Sequence, residues 1–505
     1  MMRALISVYD KNGLDEFCKT LDSLGYEIYS TGGTLDYIKK IGIDAFSISD
    51  ITNHEEILEG RVKTLHPRIH AGILADPDNP IHNSDIRRLN LQLFDIVVNN
   101  LYPFEKVSED PKSSHEEIIE NIDIGGPSML RAAAKNFKRM IVLYDPEDYS
   151  DISQKLISNS VDLETREKLA KKIFKVTSDY DKKIFDFLSK NEEQSIMPSN
   201  LDINLSKIAD LRYGENPHQI AAVYSDKKNG VANSTLLHGK AMSYLNYLDA
   251  DAAFSAANSF PDNCVSIIKH TNSCGLSYHK NQVEAYKLAL RGDPVSAFGG
   301  IIGLNSELQP ETALEISKIF YEVIIAPSFS KKALEILTAK KNIRLIKSTF
   351  DDQAKEYRTI NGGILYQEKD NFELDTSDWE FVTKNKPKNE DIENLIFAWN
   401  STKFVKSNAI VITENNSIIG IGAGQPNRVN SVNLAAKKAE DHLTENSILA
   451  SDAFFPFSDS IDLANKYNIK TIIQPGGSIR DNEVIEKADE FKIKMIFTNQ
   501  RHFSH

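Results

Sequence analysis

Short apolar runs alternate with amphipathic segments through the first 150 residues, and this alternation is the feature that most constrains the fold. Apolar runs of strand length occupy residues 4–8, 27–29, 94–98 and 140–144, while residues 14–24 carry leucine and phenylalanine at helical spacing. Strands that alternate with helices pair in parallel, because a helical crossover returns the chain to the same end of the sheet. The pattern therefore predicts an α/β fold with a doubly wound, mostly parallel sheet.

The composition argues against several classes of protein. The chain has 505 residues, 41% hydrophobic and 26% charged, which is typical of a globular protein of about three domains. Its net charge of −13 argues against a nucleic-acid partner, and the lack of any apolar run of membrane-spanning length argues against a membrane partner. Its three cysteines lack the spacing of metal ligands, so we expect reduced thiols, no metal and a cytoplasmic location.

A polar, weakly periodic stretch divides the chain into two parts. It follows a charged, amphipathic segment that ends near residue 190, and apolar periodicity returns near residue 211. A second polar stretch, near residue 368, is a weaker boundary or a surface excursion. The predicted segments are a first domain at 1–190 with its core at 1–146, a linker at 191–206, and a second domain at 207–505 with subdomains at about 207–367 and 368–505.

Two glycine-containing turns of the first domain are suited to anions. Residues 30–34 (Ser-Thr-Gly-Gly-Thr) join a strand to a helix, where free backbone N–H groups and hydroxyls favour a phosphate. Gly125-Gly126 precedes an alanine-rich helix, with Asp123 before it and Lys135 within it. The alternatives are a capped tight turn for the first segment and a close helix–sheet contact for the second.

A basic segment lies between these turns. Arg61 and Lys63 share one face of an extended backbone, as two cations around a phosphate and a developing oxyanion would. A solvated basic loop is the alternative.

In the second domain the apolar run 266–268 ends abruptly in Lys269-His270. This pattern predicts a buried strand that delivers an ammonium and an imidazole to its carboxyl end, where open α/β sheets bind ligands. We expect both side chains to lie in a dry crevice. The alternative is a solvated Lys-His pair at a strand end. The glycines at 420–424 miss the dinucleotide-binding pattern at Gln425. The C-terminal tail, 499–505, is expected to be docked, with an exposed tail as the alternative.

Taken together, these motifs resemble the bifunctional AICAR transformylase/IMP cyclohydrolase family of late purine biosynthesis, where AICAR is 5-aminoimidazole-4-carboxamide ribonucleotide. The resemblance runs in order from Leu5 to His505. It implies a first domain similar to methylglyoxal synthase and a second built from two cytidine-deaminase-like subdomains. It also implies a homodimer with transformylase sites at the interface. The deaminase zinc motif is absent from the sequence, so the resemblance to deaminases is one of shape.

The resemblance implies roles for individual residues. Formyl transfer from the cosubstrate 10-formyltetrahydrofolate to AICAR would use His270 as general base, Lys269 as electrostatic partner and Asn408 to orient the formyl group. Ring closure would use Lys63, Tyr102, Asp123 and Lys135. The implied substrate-binding residues are Ser30, Thr31, Gly32, Gly33, Thr34, Arg61, Thr64, Arg212, Tyr213, Gly299, Gly300, Gln425, Arg428, Phe454, Pro456, Arg501 and His505. Neither step is expected to need a metal.

The sequence departs from the family pattern at Tyr9, Pro426-Asn427 and Ser504. Two other functions stay open at this point. One is a methylglyoxal-synthase-like lyase with a non-catalytic second half, and the other is a nucleotide-sensing regulatory protein. The polar strand ends throughout residues 211–505 argue against the lyase. The Lys269–His270 pair, together with Lys63 and Tyr102, argues against the regulatory protein.

Overall fold

The computed structural model describes residues 2–54, 57–58, 62, 64–189, 197–226, 229–261, 263–352, 355–371 and 375–505. The chain forms two compact units, Met1–Leu201 and Asp202–His505, here called unit 1 and unit 2. The boundary between the units falls within the segment predicted as a linker. The assignment of one activity to each side of it stays a prediction. Among the described residues, we find no helix with both the length and the apolarity to cross a membrane.

Unit 1 contains one five-stranded parallel sheet in the order β3-β2-β1-β4-β5. This confirms the doubly wound parallel sheet that the sequence predicts. Its strands are β1 (Arg3–Val8), β2 (Glu27–Ser30), β3 (Ala45–Ser47), β4 (Ile96–Asn100) and β5 (Ile141–Leu143). Its helices are α1 (Leu14–Ser23), α2 (Gly32–Lys40), α3 (Ser49–Thr52), α4 (Pro67–Leu74), α5 (Pro80–Leu89), α6 (Phe104–Glu109), α7 (His115–Glu120), α8 (Gly125–Lys135), α9 (Tyr149–Ile157) and α10 (Leu163–Leu188).

The strand order of unit 1 positions its candidate site. The central strands are apolar and buried, as strands covered on both faces must be. The chain builds outward from β1 to β2 and β3, then returns to β4 on the other side. The reversal between β1 and β4 opens a crevice at their carboxyl ends, which is where such sheets bind ligands.

Unit 2 contains one twelve-stranded mixed sheet and two separate hairpins, β6–β7 and β14–β15. Its strands are β6 (Ser206–Leu211), β7 (Ala221–Ser225), β8 (Thr235–His238), β9 (Cys264–Lys269), β10 (Asn272–Tyr278), β11 (Ile301–Leu304), β12 (Val323–Ala326), β13 (Arg344–Lys347), β14 (Lys355–Ile360), β15 (Gly363–Glu368), β16 (Glu380–Phe381), β17 (Ile410–Glu414), β18 (Ser417–Gly422), β19 (Ile448–Ser451), β20 (Thr471–Gln474) and β21 (Lys494–Phe497). Its helices are α11 (Tyr244–Asn258), α12 (Gln282–Arg291), α13 (Pro310–Ile316), α14 (Lys331–Thr338), α15 (Ile392–Ser401), α16 (Arg428–Ala439), α17 (Asp459–Lys466) and α18 (Asp481–Glu490).

The large sheet is a structural duplication. Read outward from its centre, one half runs β10-β9-β11-β12-β13-β8 and the other β18-β17-β19-β20-β21-β16. In each half an antiparallel hairpin is followed by three mutually parallel strands and an antiparallel edge strand. The halves join where β10 pairs antiparallel with β18, at Ser277 and Ser417. The predicted pair of α/β subdomains is therefore present as two halves of one continuous sheet.

Glycines in the two hairpins admit the helix that covers each half. A Cβ on Gly275 of β10 would lie 1.7 Å from the carbonyl oxygen of Ala289 on α12. A Cβ on Gly422 of β18 would lie 1.9 Å from that of Ser431 on α16. The glycines at 420–424 are expected from the sequence to follow a strand. Gly420 and Gly422 lie instead within β18, where they serve helix–sheet packing.

We predict that Gly422→Ala lowers the stability of unit 2 by about 3 kcal/mol, because the methyl group would force the α16 backbone away from the sheet. Both tryptophans of the chain, Trp379 and Trp399, lie in unit 2, so tryptophan fluorescence during urea unfolding reports on it. Gly363→Ala is the control, since only Ile360 comes within 4 Å of its Cβ position. Equal unfolding midpoints for the two variants would contradict the packing argument.

Candidate active sites

A cavity of about 690 Å³ opens at the carboxyl ends of β1 and β4 in unit 1. The predicted site residues that line it are Thr31, Gly33, Thr34, Thr64, Tyr102, Asp123, Gly125 and Gly126. They come from four separated stretches of sequence, which the parallel sheet brings to one edge. The cavity has the size of a small-molecule site.

The turn at residues 30–34 is anchored to β1 by its hydroxyl groups. The Thr34 Oγ1 donates to the Val8 carbonyl oxygen at 2.9 Å and accepts from the Val8 N–H at 3.1 Å. The Ser30 Oγ donates to the Ile6 carbonyl oxygen at 2.7 Å and is fully buried. The Ser30 hydroxyl is thereby bound to the sheet, and the part of Ser30 in substrate binding stays a prediction. Gly33 has no protein atom within 4 Å of its Cβ position, so its backbone is open to a ligand.

Asp123 lies at the start of α8 and is fixed from two sides. Its Oδ1 accepts from the Gly126 N–H at 2.8 Å, and its own N–H donates to the Tyr180 hydroxyl at 2.7 Å. Burial raises the pKa of Tyr180 to about 12, so the phenol stays neutral and donates to the Asn121 carbonyl oxygen. No motif or periodicity in the sequence points to Tyr180, which lies 57 positions away on α10. Tyr180 orients Asp123 without itself lining the cavity.

Tyr102 lies half exposed on the cavity wall, in edge-to-face contact with Tyr9. The ring centroids are 5.8 Å apart, with an interplanar angle of 82°. The Asn100 side chain fixes the turn beneath them: its Oδ1 accepts from the Tyr9 N–H at 2.6 Å and the Asp10 N–H at 2.9 Å. The sequence analysis noted Tyr9 only as a departure from the family and assigned it no role.

Among the described residues, the predicted site residues Ser30, Gly32 and Lys135 do not line the cavity. Lys135 occupies the last turn of α8, about 15 Å along the helix from Gly125 at 1.5 Å per residue. It lies beside Phe137 and Phe174, and its part in ring closure stays a prediction. Arg61 and Lys63 lie outside the described residues.

In unit 2 the predicted Lys-His pair sits on a tight hairpin. Lys269 is the last residue of β9, and His270 and Thr271 form the two-residue turn into β10 with φ of 54° and 56°. Positive φ is costly for non-glycine residues, particularly for a β-branched threonine. The Asp249 carboxylate offsets that cost, because it accepts from the N–H groups of His270 at 2.9 Å and Thr271 at 2.6 Å.

Lys269 reaches across to the neighbouring glycine turn. Its Nζ donates to the Phe298 carbonyl oxygen at 2.7 Å, directly before Gly299-Gly300. A Cβ on Gly300 would lie 2.9 Å from the Ile268 carbonyl oxygen, so this turn must stay close to β9. Lys269 is half-buried and His270 is exposed. The expected dry crevice is therefore not formed by the described residues of one chain.

Asn408 precedes β17 and is held by a buried ion pair. The Arg428 guanidinium donates to the Asn408 Oδ1 at 2.7 Å, to the Ser451 Oγ at 2.8 Å and to the Asp452 carboxylate. Asp452 is fully buried and Arg428 is 7% exposed. The Arg428 guanidinium is thus committed to Asn408 and Asp452, and its contact with the nucleotide stays a prediction. The Gln425 carbonyl oxygen accepts from the Asn408 Nδ2 at 2.8 Å.

The strand directions bring the predicted transformylase residues to one edge of the large sheet. The carboxyl ends of β9, β18 and β19 and the amino ends of β11 and β17 all face this edge. The predicted residues found there are Lys269, His270, Gly299, Gly300, Asn408, Gln425 and Phe454 with Pro456. Asn408 stands three strands from Lys269, about 14 Å at the usual strand spacing.

The C-terminal tail docks beside Asn408, as predicted. The Ser504 N–H donates to the Ser407 Oγ at 3.2 Å, and the Ser407 N–H donates to the Ser504 carbonyl oxygen at 2.9 Å. The Arg358 guanidinium donates to a backbone oxygen of His505. The Arg501 guanidinium lies 4.7 Å from the Phe503 ring centroid. The tail thereby brings Arg501 and His505 near this edge.

Arg212 and Tyr213 lie in the loop of the separate β6–β7 hairpin. The Arg212 guanidinium is 5.5 Å from the Tyr213 ring centroid. Their predicted role stays a prediction.

The comparisons agree over both units. Residues 133–438 match the family described as "AICARFT/IMPCHase bienzyme", and residues 13–128 match the family described as "MGS-like domain". The chain belongs to the AICARFT/IMPCHase bienzyme family. It is 48% identical over 512 residues to the "Bifunctional purine biosynthesis protein PurH" of Caldicellulosiruptor saccharolyticus, covering 100% of this chain and 99% of that protein. The protein of that name from Dictyostelium discoideum is 44% identical over 543 residues, with 100% of each chain covered.

Two departures from the family pattern are accommodated by backbone and capping interactions. Asn427 caps α16, because its side chain accepts from the Val429 N–H at 3.0 Å and so presents Arg428 in the first helical turn. Ser504 docks the tail through its backbone, which any residue there could provide. Among the described residues, no group of three or more His, Cys, Asp or Glu side chains could hold a metal ion.

We predict that Asp452→Asn destabilises unit 2 by about 3–5 kcal/mol, because it leaves the buried Arg428 charge without a counter-charge. The urea midpoint followed by tryptophan fluorescence measures this effect. Asp462→Asn is the control, since the Asp462–Lys487 pair is 3.6 Å apart and solvated. A midpoint for Asp452→Asn equal to that of the control would rule out a structural role for the pair.

Proposed function

We propose that the protein is a bifunctional enzyme of purine biosynthesis. Unit 2 transfers a formyl group from 10-formyltetrahydrofolate to AICAR, and unit 1 closes the resulting formyl-AICAR to IMP with loss of water. Family membership over the whole chain supports this division. The observation that carries it is the Lys269–His270 turn, held by Asp249 at the same sheet edge as Asn408.

Formyl transfer requires help because the AICAR amine is a weak nucleophile, with its lone pair delocalised into the imidazole and carboxamide. His270 accepts the amine proton as the nitrogen attacks the formyl carbon. Lys269 stabilises the oxyanion of the tetrahedral intermediate. To reach it, the Lys269 ammonium gives up its hydrogen bond to the Phe298 carbonyl oxygen. The Asn408 amide keeps one N–H beyond the bond to Gln425, and this N–H orients the formyl oxygen.

In this proposal, Arg501 and His505 on the docked tail bind the nucleotide phosphate, and Phe454 with Pro456 walls the flat ring. No described atom lies within 4 Å of the Cβ position of Gly299, so its backbone is open to a ligand. Gly300 is buried against the Ile268 carbonyl oxygen, and its part in substrate binding stays a prediction.

Ring closure in unit 1 joins the carboxamide nitrogen to the formyl carbon. Asp123 accepts the carboxamide proton, and the Tyr102 hydroxyl assists proton movement. Lys63, outside the described residues, retains its predicted role at the oxyanion, and Arg61 its role at the phosphate. Thr31, Gly32, Gly33, Thr34 and Thr64 surround the ribose phosphate at the amino termini of α2 and α8. Neither step changes an oxidation state, and charge stabilisation falls to lysines rather than a metal.

We further propose that the working form is a cytoplasmic homodimer whose second copy encloses the transformylase site. The exposed His270 and the exposed β14–β15 hairpin support this proposal. Tyr357, Ile360, Ile364 and Leu365 of that hairpin are each 44–57% exposed, and isolated two-stranded sheets are marginal in water. The three cysteines are free and buried, as expected in a reducing compartment.

Substitutions in one site are expected to lower that site's activity and to leave the activity of the other site unchanged. Lys269→Ala or His270→Ala should lower formyl transfer at least about 100-fold yet leave cyclisation of added formyl-AICAR unchanged. Asp123→Asn or Tyr102→Phe should do the reverse. Separate assays of tetrahydrofolate release and IMP formation measure this division. Loss of both activities in any one folded variant would refute it.

Sedimentation should show a dimer that the β14–β15 hairpin stabilises. Replacing Ile364 and Leu365 by aspartate is expected to shift the equilibrium toward monomer and to lower formyl transfer, while ring closure in unit 1 persists. Ile157→Asp, an exposed site in unit 1, is the control. A wild-type monomer with full transformylase activity would remove the homodimer from the proposal.

A further inference from the structure

Tyr9 and Tyr102 form an aromatic pair on the wall of the unit 1 cavity. Both rings are large, apolar and about half exposed, at 54% and 43%. Both rings line the cavity, and aromatic side chains are typical of the walls of small-molecule sites. Their edge-to-face geometry is the favourable one for aromatic rings, worth a few-fold in an equilibrium constant.

The backbone beneath the pair is rigid because of Asn100. Its side chain receives the N–H groups of Tyr9 and Asp10 and donates to the Asp10 carbonyl oxygen at 2.9 Å. Asn100 is itself buried and ends β4, two residues before Tyr102. The Asn100 side chain thus sets the spacing between the backbones of the two tyrosines, and the ring contact further restrains the Tyr102 side chain.

We infer that Tyr9 is a positioning residue for ring closure, holding the Tyr102 side chain so that its hydroxyl faces the carboxamide and formyl groups. The inference rests on the proposed cyclohydrolase function of unit 1 and adds to it a residue that acts through Tyr102. An edge-to-face neighbour restricts rotation of the Tyr102 ring about its side-chain bonds. Without that neighbour, the half-exposed ring samples orientations that turn the hydroxyl toward water.

The reaction defines where that hydroxyl must point. The carboxamide nitrogen forms a bond to the formyl carbon and gives up one proton, while its second proton stays on the ring. The formyl oxygen leaves as water, taking that first proton and the proton of the formamido nitrogen. Both proton movements occur around one carbon, so a hydroxyl misdirected by about 1 Å loses its contribution to the step.

A double-mutant cycle tests the inference in the full-length protein with added formyl-AICAR. Tyr9→Ala should lower kcat for ring closure about two- to tenfold with little change in KM, and Tyr9→Phe should restore it because the ring remains. In the Tyr102→Phe background, Tyr9→Ala should have no further effect, since the hydroxyl that it positions is gone. Formyl transfer, assayed in the same samples, should stay at the wild-type rate.

The other outcomes count against the inference. Losses that multiply in the double variant would mean that Tyr9 acts independently of Tyr102. A rise in KM with unchanged kcat would mean that Tyr9 binds the ligand rather than positioning Tyr102. Wild-type kcat in Tyr9→Ala would remove any role. A wild-type protein that closes no ring at all would overturn the proposed function itself, which separates that failure from the others.

Discussion

The carboxylate of Asp249 holds together the turn on which the proposed formyl transfer depends. Two consecutive residues with positive φ place His270 at the tip of the β9–β10 hairpin, and neither is a glycine. Such a turn would relax without an acceptor for both of its N–H groups. Asp249 comes from α11, which packs on β9 and β11, so the position of the imidazole is set by the packing of a helix on the sheet.

Side-chain anchors of the same kind fix the other reactive groups. Asp452 neutralises Arg428, which orients Asn408, and Asn100 fixes the backbone beside Tyr102. In each case a buried polar side chain satisfies backbone or amide groups where a strand ends. Because buried polar groups must be paired, these anchors tie the site geometry to the stability of the fold.

The duplication in unit 2 explains why the site is assembled from both halves. Because β10 and β18 pair antiparallel, the hairpins of the two halves run in opposite directions. The β9–β10 turn of the first half therefore lies at the same sheet edge as the start of β17 in the second half. Lys269 and His270 come from the first half, and Asn408 and the tail from the second. The turn equivalent to His270–Thr271, at Asn415–Asn416, also has positive φ but lies at the opposite edge.

The sequence by itself determined the α/β class, the parallel order of strands and helices in unit 1, and most of the residues that meet at each site. It did so because buried faces of helices and strands require apolar residues at regular spacing. Ligand-binding turns between strands and helices likewise require glycines and polar residues, which can be recognised in the chain. Only the tertiary structure decided which of those residues have free side chains. Ser30, Lys135 and Arg428 fit the motifs, yet their partners or positions depend on elements distant in sequence. The roles of Tyr180 and Asp249, and the pairing of β10 with β18 that joins the two predicted subdomains, were hidden for the same reason. A hydrogen bond or strand pairing between remote segments leaves no periodic trace in the chain.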